Sequence, residues 1–145
     1  MKNSQKGETM EKKITIIFPP GKKETKKITF RLNPGHYWLV IDYTPTECIP
    51  RWPKQFKVKL NNETLFDGYI IRDPEAILIW HPKEGLLSHI ACLEKEVEIR
   101  QPDNSVEITM SHRYSPWRIY VIFFDNKKEK ENYTSMSFAY KYINL

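Results

Sequence analysis

The residues best equipped for chemistry form one run, Ser111-His112-Arg113-Tyr114-Ser115-Pro116-Trp117. An exposed aromatic face can stack on a sugar ring, while arginine and histidine supply directional hydrogen bonds to hydroxyls. The competing reading has Trp117 plugging the core, with His112 and Arg113 merely capping the loop. That is the commoner outcome for a tryptophan at a strand start. Arg51 and Trp52 stand in TPTECIPRWP, a loop stiffened by three prolines, and form a second candidate platform or else a lid over one end of the fold. Trp80-His81 follows the apolar run from Ile77 and reads as the continuation of a buried strand.

Other chemistries find less support. His36, His81, His89 and His112 are scattered, without HxxxH or HxH spacing, so no metal site is expected. Asp67-Gly68, Asp73 and Asp103-Asn104 are turn formers first, and no EF-hand-like acidic loop exists for calcium. No GxSxG, HExxH or phosphate-binding glycine loop occurs. Paired carboxylates can cleave glycosides, but Glu94, Glu96 and Glu98 share one strand face and read as a solvated surface. No cofactor is implied, and an enzyme is unsupported. Cys48 and Cys92 lie in no CxxC pair and are expected as free thiols in a reducing compartment.

Composition narrows the class. The chain has 145 residues, 40% hydrophobic and 28% charged, which fits a soluble globular domain, and 13% aromatic, which favours strands. The net charge of +5 arises chiefly from lysine runs at Lys12–Lys13, Lys22–Lys23, Lys26–Lys27 and Lys127–Lys130. Glu24, Glu129 and Glu131 are interleaved with them, and no stacking aromatics stand between the basic residues, so a solvated surface is expected rather than a nucleic-acid groove. The N-terminal stretch is polar, without a signal-peptide core, and no run approaches the ~18 apolar residues of a membrane span. These features predict a cytoplasmic protein with a flexible tail over residues 1–11 and one domain over residues 12–145. Abundant lysine, isoleucine and glutamate with only three glutamines gives a thermophile-like composition. Asn62-Glu63-Thr64 and Asn132-Tyr133-Thr134 fit the glycosylation triplet and are read as chance matches.

The elements that must position these residues are strands. His36–Tyr43, HYWLVIDY, has Tyr37, Leu39, Ile41 and Tyr43 on one parity, with Trp38 and Val40 on the other. A strand apolar on both sides belongs in the middle of a sheet. Trp117–Phe124, WRIYVIFF, reads as a second central strand. Alternation predicts further strands at Lys13–Phe18, Lys26–Leu32, Phe56–Leu60, Leu93–Arg100 and Val106–Met110, flanking turns place strands at Thr64–Phe66 and Tyr69–Ile71, and the continuous apolar run Ile77–Trp80 reads as a buried strand. Asn61-Asn62 and Asp67-Gly68 are expected as hairpin turns. Leu86–Cys92 fits a helical turn or a strand. Asp125–Asn132 reads as a charged loop, and Ser135–Tyr142 as a closing strand with Met136, Phe138, Tyr140 and Tyr142 on one side. Nine or ten short strands without a long amphipathic helix predict an all-β sandwich or barrel of antiparallel strands.

Three segments resemble the galactose-binding-like jelly-roll sandwiches, the architecture of many carbohydrate-binding modules. Ile28–Tyr43 is similar to that family's strand, glycine turn and aromatic strand, and Phe56–Leu65 to its strand and tight turn. Val97–Phe124 resembles its closing unit, in which a hairpin leads through a loop to a terminal hydrophobic strand. Together they cover somewhat over a third of the chain. The chain departs from the family in lacking its glycine-rich character and calcium site, and in an extra segment after WRIYVIFF. The resemblance implies a jelly-roll β-sandwich whose Ser111–Trp117 loop lies at an end where some relatives bind ligand. The expectation is a non-catalytic binding module with a carbohydrate or protein partner, its candidate residues being Arg51, Trp52, His112, Arg113, Tyr114 and Trp117. The alternative is a structural or assembly subunit, oligomeric through a sheet edge or an apolar face.

Overall fold

The computed structural model describes residues 11–18, 24–43, 54–73, 76–81, 83, 85–88, 92–110 and 117–143. Ten strands lie among them, most with period-two alternation of apolar side chains: β1 Glu11–Phe18, β2 Glu24–Arg31, β3 Gly35–Tyr43, β4 Lys54–Leu60, β5 Glu63–Asp73, β6 Ala76–His81, β7 Gly85–Ser88, β8 Cys92–Ile99, β9 Asp103–Met110 and β10 Trp117–Phe124. One helix follows, α1 Lys127–Ile143.

Pairing gives the topology. β1 pairs with β10, β2 with β9, β3 with β8 and β4 with β5, all antiparallel. The chain therefore doubles back as one long hairpin whose tip is the β4–β5 turn. It then rolls up, so that β10 meets β3 and β9 meets β4. The resulting orders, β1-β10-β3-β8 and β2-β9-β4-β5 with β6 and β7 added at the edge, are those of a jelly roll. Eight strands build the roll, and the β6–β7 hairpin extends its second sheet. β3 and β10, the two strands expected at the centre, lie side by side in the middle of the four-stranded sheet.

The inner faces share one core. Phe123 is fully buried and meets Phe30 and Tyr37 edge-on, with ring centroids 5.2 and 6.3 Å away. Leu39, Ile41, Phe56, Val58 and Ile108 pack into the same cluster. The Tyr37 hydroxyl donates to the Asn33 carbonyl at 2.6 Å, which ties β3 to the turn before it. Burial, and to a lesser degree the charge of Asp125, raise the pKa of this phenol.

Two expectations are corrected. The closing strand over Ser135–Tyr142 and the charged loop before it are one helix, α1. Asn126 caps it: its Oδ1 accepts the Glu129 backbone N–H at 3.0 Å, and Glu129 puts negative charge in the first turn. Seventeen residues without glycine or proline satisfy their backbone within the helix, whereas an added strand would need a sheet edge. The expected Asp67-Gly68 turn is also absent, since both residues lie inside continuous β5. Gly68 stands opposite Phe56 in the ladder, on the core side. The ambiguous stretch from Leu86 ends β7 at Ser88, and Cys92 opens β8.

The apolar residues on the outer side of β3 and β10 find their partner in α1. Val40, Ile122, Phe124 and Cys92 form a second small cluster, against which Trp38, Tyr120 and Tyr133 pack. Phe124 and Tyr133 have ring centroids 5.7 Å apart.

Candidate functional site

Two turn sequences build the described end of the roll. Asn61 and Asn62 both take positive φ, 50° and 67°, the conformation of a two-residue hairpin turn that asparagine tolerates. Gln101-Pro102 carries the chain from β8 in one sheet to β9 in the other. Asn104, only 5% exposed, locks these pieces together. Its Nδ2 donates to the Gln101 and Pro102 carbonyls at 2.9 and 3.1 Å, and its Oδ1 accepts from Asn61 Nδ2 at 2.9 Å. Asn61 Oδ1 accepts the Ser105 N–H at 2.8 Å, and the Asn61 N–H donates to the Ser105 carbonyl at 2.9 Å. The Leu32 N–H joins the same knot through the Pro102 carbonyl at 3.0 Å. Every polar atom of both asparagine side chains is thus engaged in fixing the backbone.

This knot carries two open clefts. The larger, about 510 Å³, is lined on its polar side by Lys27, Arg31, Asn62, Gln101, Asp103 and Ser105. Arg31 Nη1 contacts Asp103 Oδ1 at 2.7 Å across directly paired positions of β2 and β9. The pair is exposed and adds little stability, but it holds a planar donor fork beside a carboxylate. The smaller cleft, about 330 Å³, is lined by Glu63, Glu98 and Arg100. Asn61 and Gln101 line both and form the ridge between them. Among the described residues the side-chain amides of Asn62 and Gln101 make no hydrogen bond. Free amides on the turns and the ion-paired guanidinium at the end of β2 offer adjacent donors and acceptors, the chemistry that recognises neighbouring hydroxyls.

None of the six candidates expected from the sequence is among the described residues that line these clefts. Arg51, Trp52, His112, Arg113 and Tyr114 lie outside the described residues. Trp117 opens β10 and pairs with Phe18 in the ladder. The strands flanking both loops, which stop at Tyr43 and Met110 and resume at Lys54 and Trp117, end on the side opposite the Asn61 turn. Reading Asn61-Asn62 as a turn was correct, whereas Asp103 and Asn104, expected in a turn, are the first paired residues of β9, and neither reading revealed that the two segments converge. Only the pairing of β4 with β9 brings these distant turns together.

A second polar cluster has a structural task. Asp42, on the outer side of β3, is 5% exposed. It accepts the Tyr133 hydroxyl at 2.6 Å and the Ser137 hydroxyl at 2.9 Å. The Cys92 thiol donates to Ser137 Oγ at 3.7 Å, and Lys130 Nζ meets Glu94 at 2.7 Å. Burial first, then the hydrogen bond to Asp42, hold the Tyr133 phenol protonated far above its ordinary range. These contacts bind α1 to the sheet. On the same face His36 Nε2 lies 3.1 Å from Glu96 and stacks edge-on against Trp38 at 4.9 Å. Among the described residues no group of three His, Cys, Asp or Glu side chains is placed to hold a metal ion.

No family model matches the sequence, and no curated protein matches it. Among solved structures the chain is similar to dimeric latent PorU from Porphyromonas gingivalis, with a TM-score of 0.42 and 12% identity over 81% of this chain. That match spans 13% of the PorU chain. It is also similar to a family 35 carbohydrate-binding module from Clostridium thermocellum, with a TM-score of 0.40 and 12% identity, covering 81% of this chain and 92% of that one. The assignment to an all-β jelly-roll sandwich stands on the strand order itself. No helix among the described residues is long and apolar enough to cross a membrane.

Proposed function

We propose that the chain is a non-catalytic binding module whose ligand is a carbohydrate. The observation that supports this reading is the polar cleft at the turn end. Its walls are fixed by the Asn61–Asn104 knot, and its free groups are the amides of Asn62 and Gln101 beside the Arg31–Asp103 pair. Rigid walls limit the entropy lost on binding, and paired polar groups suit vicinal hydroxyls. Arg51 and Trp52, with His112, Arg113, Tyr114 and the β10 residue Trp117, are the second candidate site, with aromatic platforms as their means of binding.

Titration calorimetry against soluble polysaccharides tests both. Loss of binding in Gln101→Ala and Arg31→Ala assigns the turn-end cleft. Loss in Trp52→Ala or Tyr114→Ala assigns the site to that second group of residues. Absence of binding by every polysaccharide refutes the carbohydrate reading. Glu63 and Glu98 line one cleft, so recovered ligand is examined for cleavage, and hydrolysis that is lost in Glu98→Gln would refute the non-catalytic part.

A second reading, an assembly subunit, has its own support. Met136, Phe138 and Tyr140 on α1 are 73%, 49% and 56% exposed, an unusual amount of apolar surface for one short helix. Light scattering of the wild type and of Met136→Glu distinguishes it. An oligomer that dissociates on this substitution favours assembly, and a monomer in both removes it.

A further inference from the structure

We infer that the two clefts form one continuous site, and that it takes an internal stretch of a neutral linear oligosaccharide crossing the Asn61–Gln101 ridge. The inference rests on the carbohydrate reading above. Three observations carry it.

The first is continuity. Asn61 and Gln101 line both clefts, so no wall separates them other than the ridge these residues form. The site runs from Arg31 on β2 to Glu63 on β5, across strand order β2-β9-β4-β5. Three inter-strand spacings make this about 14 Å, longer than a single sugar ring. Both ends are open to solvent, so neither cleft stops a chain end.

The second is charge. Lys27, Arg31 and Asp103 line the larger cleft, and Glu63, Glu98 and Arg100 the smaller. The first half carries one excess positive charge and the second one excess negative charge. A polyanion or polycation crossing both would lose at one half what it gains at the other. A neutral chain meets no such conflict, and these groups are left to act as hydrogen-bond donors and acceptors.

The third is the ridge. The Asn61 side chain is wholly committed to Asn104 and Ser105, so the ridge backbone cannot yield to a ligand. The exposed amides of Gln101 and Asn62 stand free for hydrogen bonding on it and beside it. A sugar unit on the ridge therefore bonds to Gln101 while its neighbours occupy the clefts.

The test is a calorimetric series of neutral cello-, xylo- and manno-oligosaccharides from monosaccharide to hexasaccharide, with polygalacturonate as the anionic comparison. Affinity for one of the neutral series is expected to rise roughly tenfold or more from its shortest to its longest member, with little dependence on salt. Glu98→Ala and Arg100→Ala, both exposed and with side chains that make none of the Asn104 hydrogen bonds, are expected to weaken the hexasaccharide and leave the disaccharide unchanged. Arg31→Ala is expected to weaken both. Equal affinity for all lengths, an unaltered hexasaccharide affinity in Glu98→Ala and Arg100→Ala, or salt-sensitive preference for polygalacturonate overturns the continuous neutral site while leaving carbohydrate binding intact. Failure of every probe overturns the carbohydrate reading, and this inference with it.

Discussion

Replacing Asp42 by alanine should release α1 from the sheet without dissolving the jelly roll. The carboxylate accepts two hydroxyl hydrogen bonds, from Tyr133 at 2.6 Å and from Ser137 at 2.9 Å. Bonds to a charged acceptor contribute about 1.5–3 kcal/mol each. Both hydroxyls are only partly buried, so water replaces the lost acceptor and the low end applies, about 3 kcal/mol for the pair. Relief of the buried carboxylate's desolvation offsets roughly 1 kcal/mol of this. The net loss of about 2 kcal/mol corresponds to roughly a thirtyfold shift in the docking equilibrium. Cys92 reports it directly, being buried beneath the helix and bonded to Ser137. In a Cys48→Ser background it is the sole thiol, and its labelling rate should rise about thirtyfold in Asp42→Ala. Tyr133→Phe keeps the ring against Phe124 and removes one bond, so it should cost about 1–1.5 kcal/mol alone and almost nothing once Asp42 is gone. Unchanged Cys92 labelling in Asp42→Ala, or an equal cost of Tyr133→Phe in both backgrounds, would refute the latch.

Three further outcomes are expected. Phe123→Ala removes the fully buried ring between Phe30 and Tyr37, and should lower stability by about 3–5 kcal/mol in urea titration. Asn104→Ala leaves the Gln101 carbonyl and the Asn61 amide without this partner, while the Pro102 carbonyl keeps only the Leu32 N–H. A loss of about 2–3 kcal/mol is expected, together with loss of any ligand bound in the adjoining clefts, measured by denaturation and calorimetry. Alkaline stability should report Tyr133. Its folded pKa is raised above the ordinary 10.0, so its contribution is complete below about pH 10 and declines above it, where only the unfolded chain releases the proton. The decline is at most about 1.4 kcal/mol per pH unit, and Tyr133→Phe should flatten it in urea unfolding between pH 8 and 11.

The scaffold was legible because its signal is local. Alternation in HYWLVIDY and WRIYVIFF marked two strands apolar on both faces, and they are the adjacent central strands β3 and β10. The Asn61-Asn62 turn followed from the tolerance of asparagine for positive φ. The candidate site was less legible. Arg31, Asn62, Gln101 and Asp103 lie in segments far apart in sequence, and each is ordinary where it stands. Their types name turns and exposed strand ends, and nothing local says that one cleft collects them. Exposure of the large loop aromatics would separate the two ends of the fold as binding sites, and calorimetry on Trp52→Ala and Gln101→Ala supplies the same discrimination.

The last segment shows the division between sequence and tertiary structure most plainly. Met136, Phe138, Tyr140 and Tyr142 alternate, and alternation by itself reads as a strand. Backbone hydrogen bonding decides otherwise. A helix satisfies its own N–H and C=O groups, needs only the Asn126 cap, and can lie on a sheet face. The signal for it stood elsewhere in the chain, in the outward residues Trp38, Val40, Ile122 and Phe124. A second apolar face on central strands requires a cover, and Asp42 among them requires a hydroxyl partner. The amino-acid sequence by itself determined the two central strands, the alternating strands around them, the Asn61-Asn62 turn and the need for that cover. Which segment supplies it, and which turns meet to form the clefts, was decided by tertiary structure, because both depend on contacts between residues that no local pattern connects.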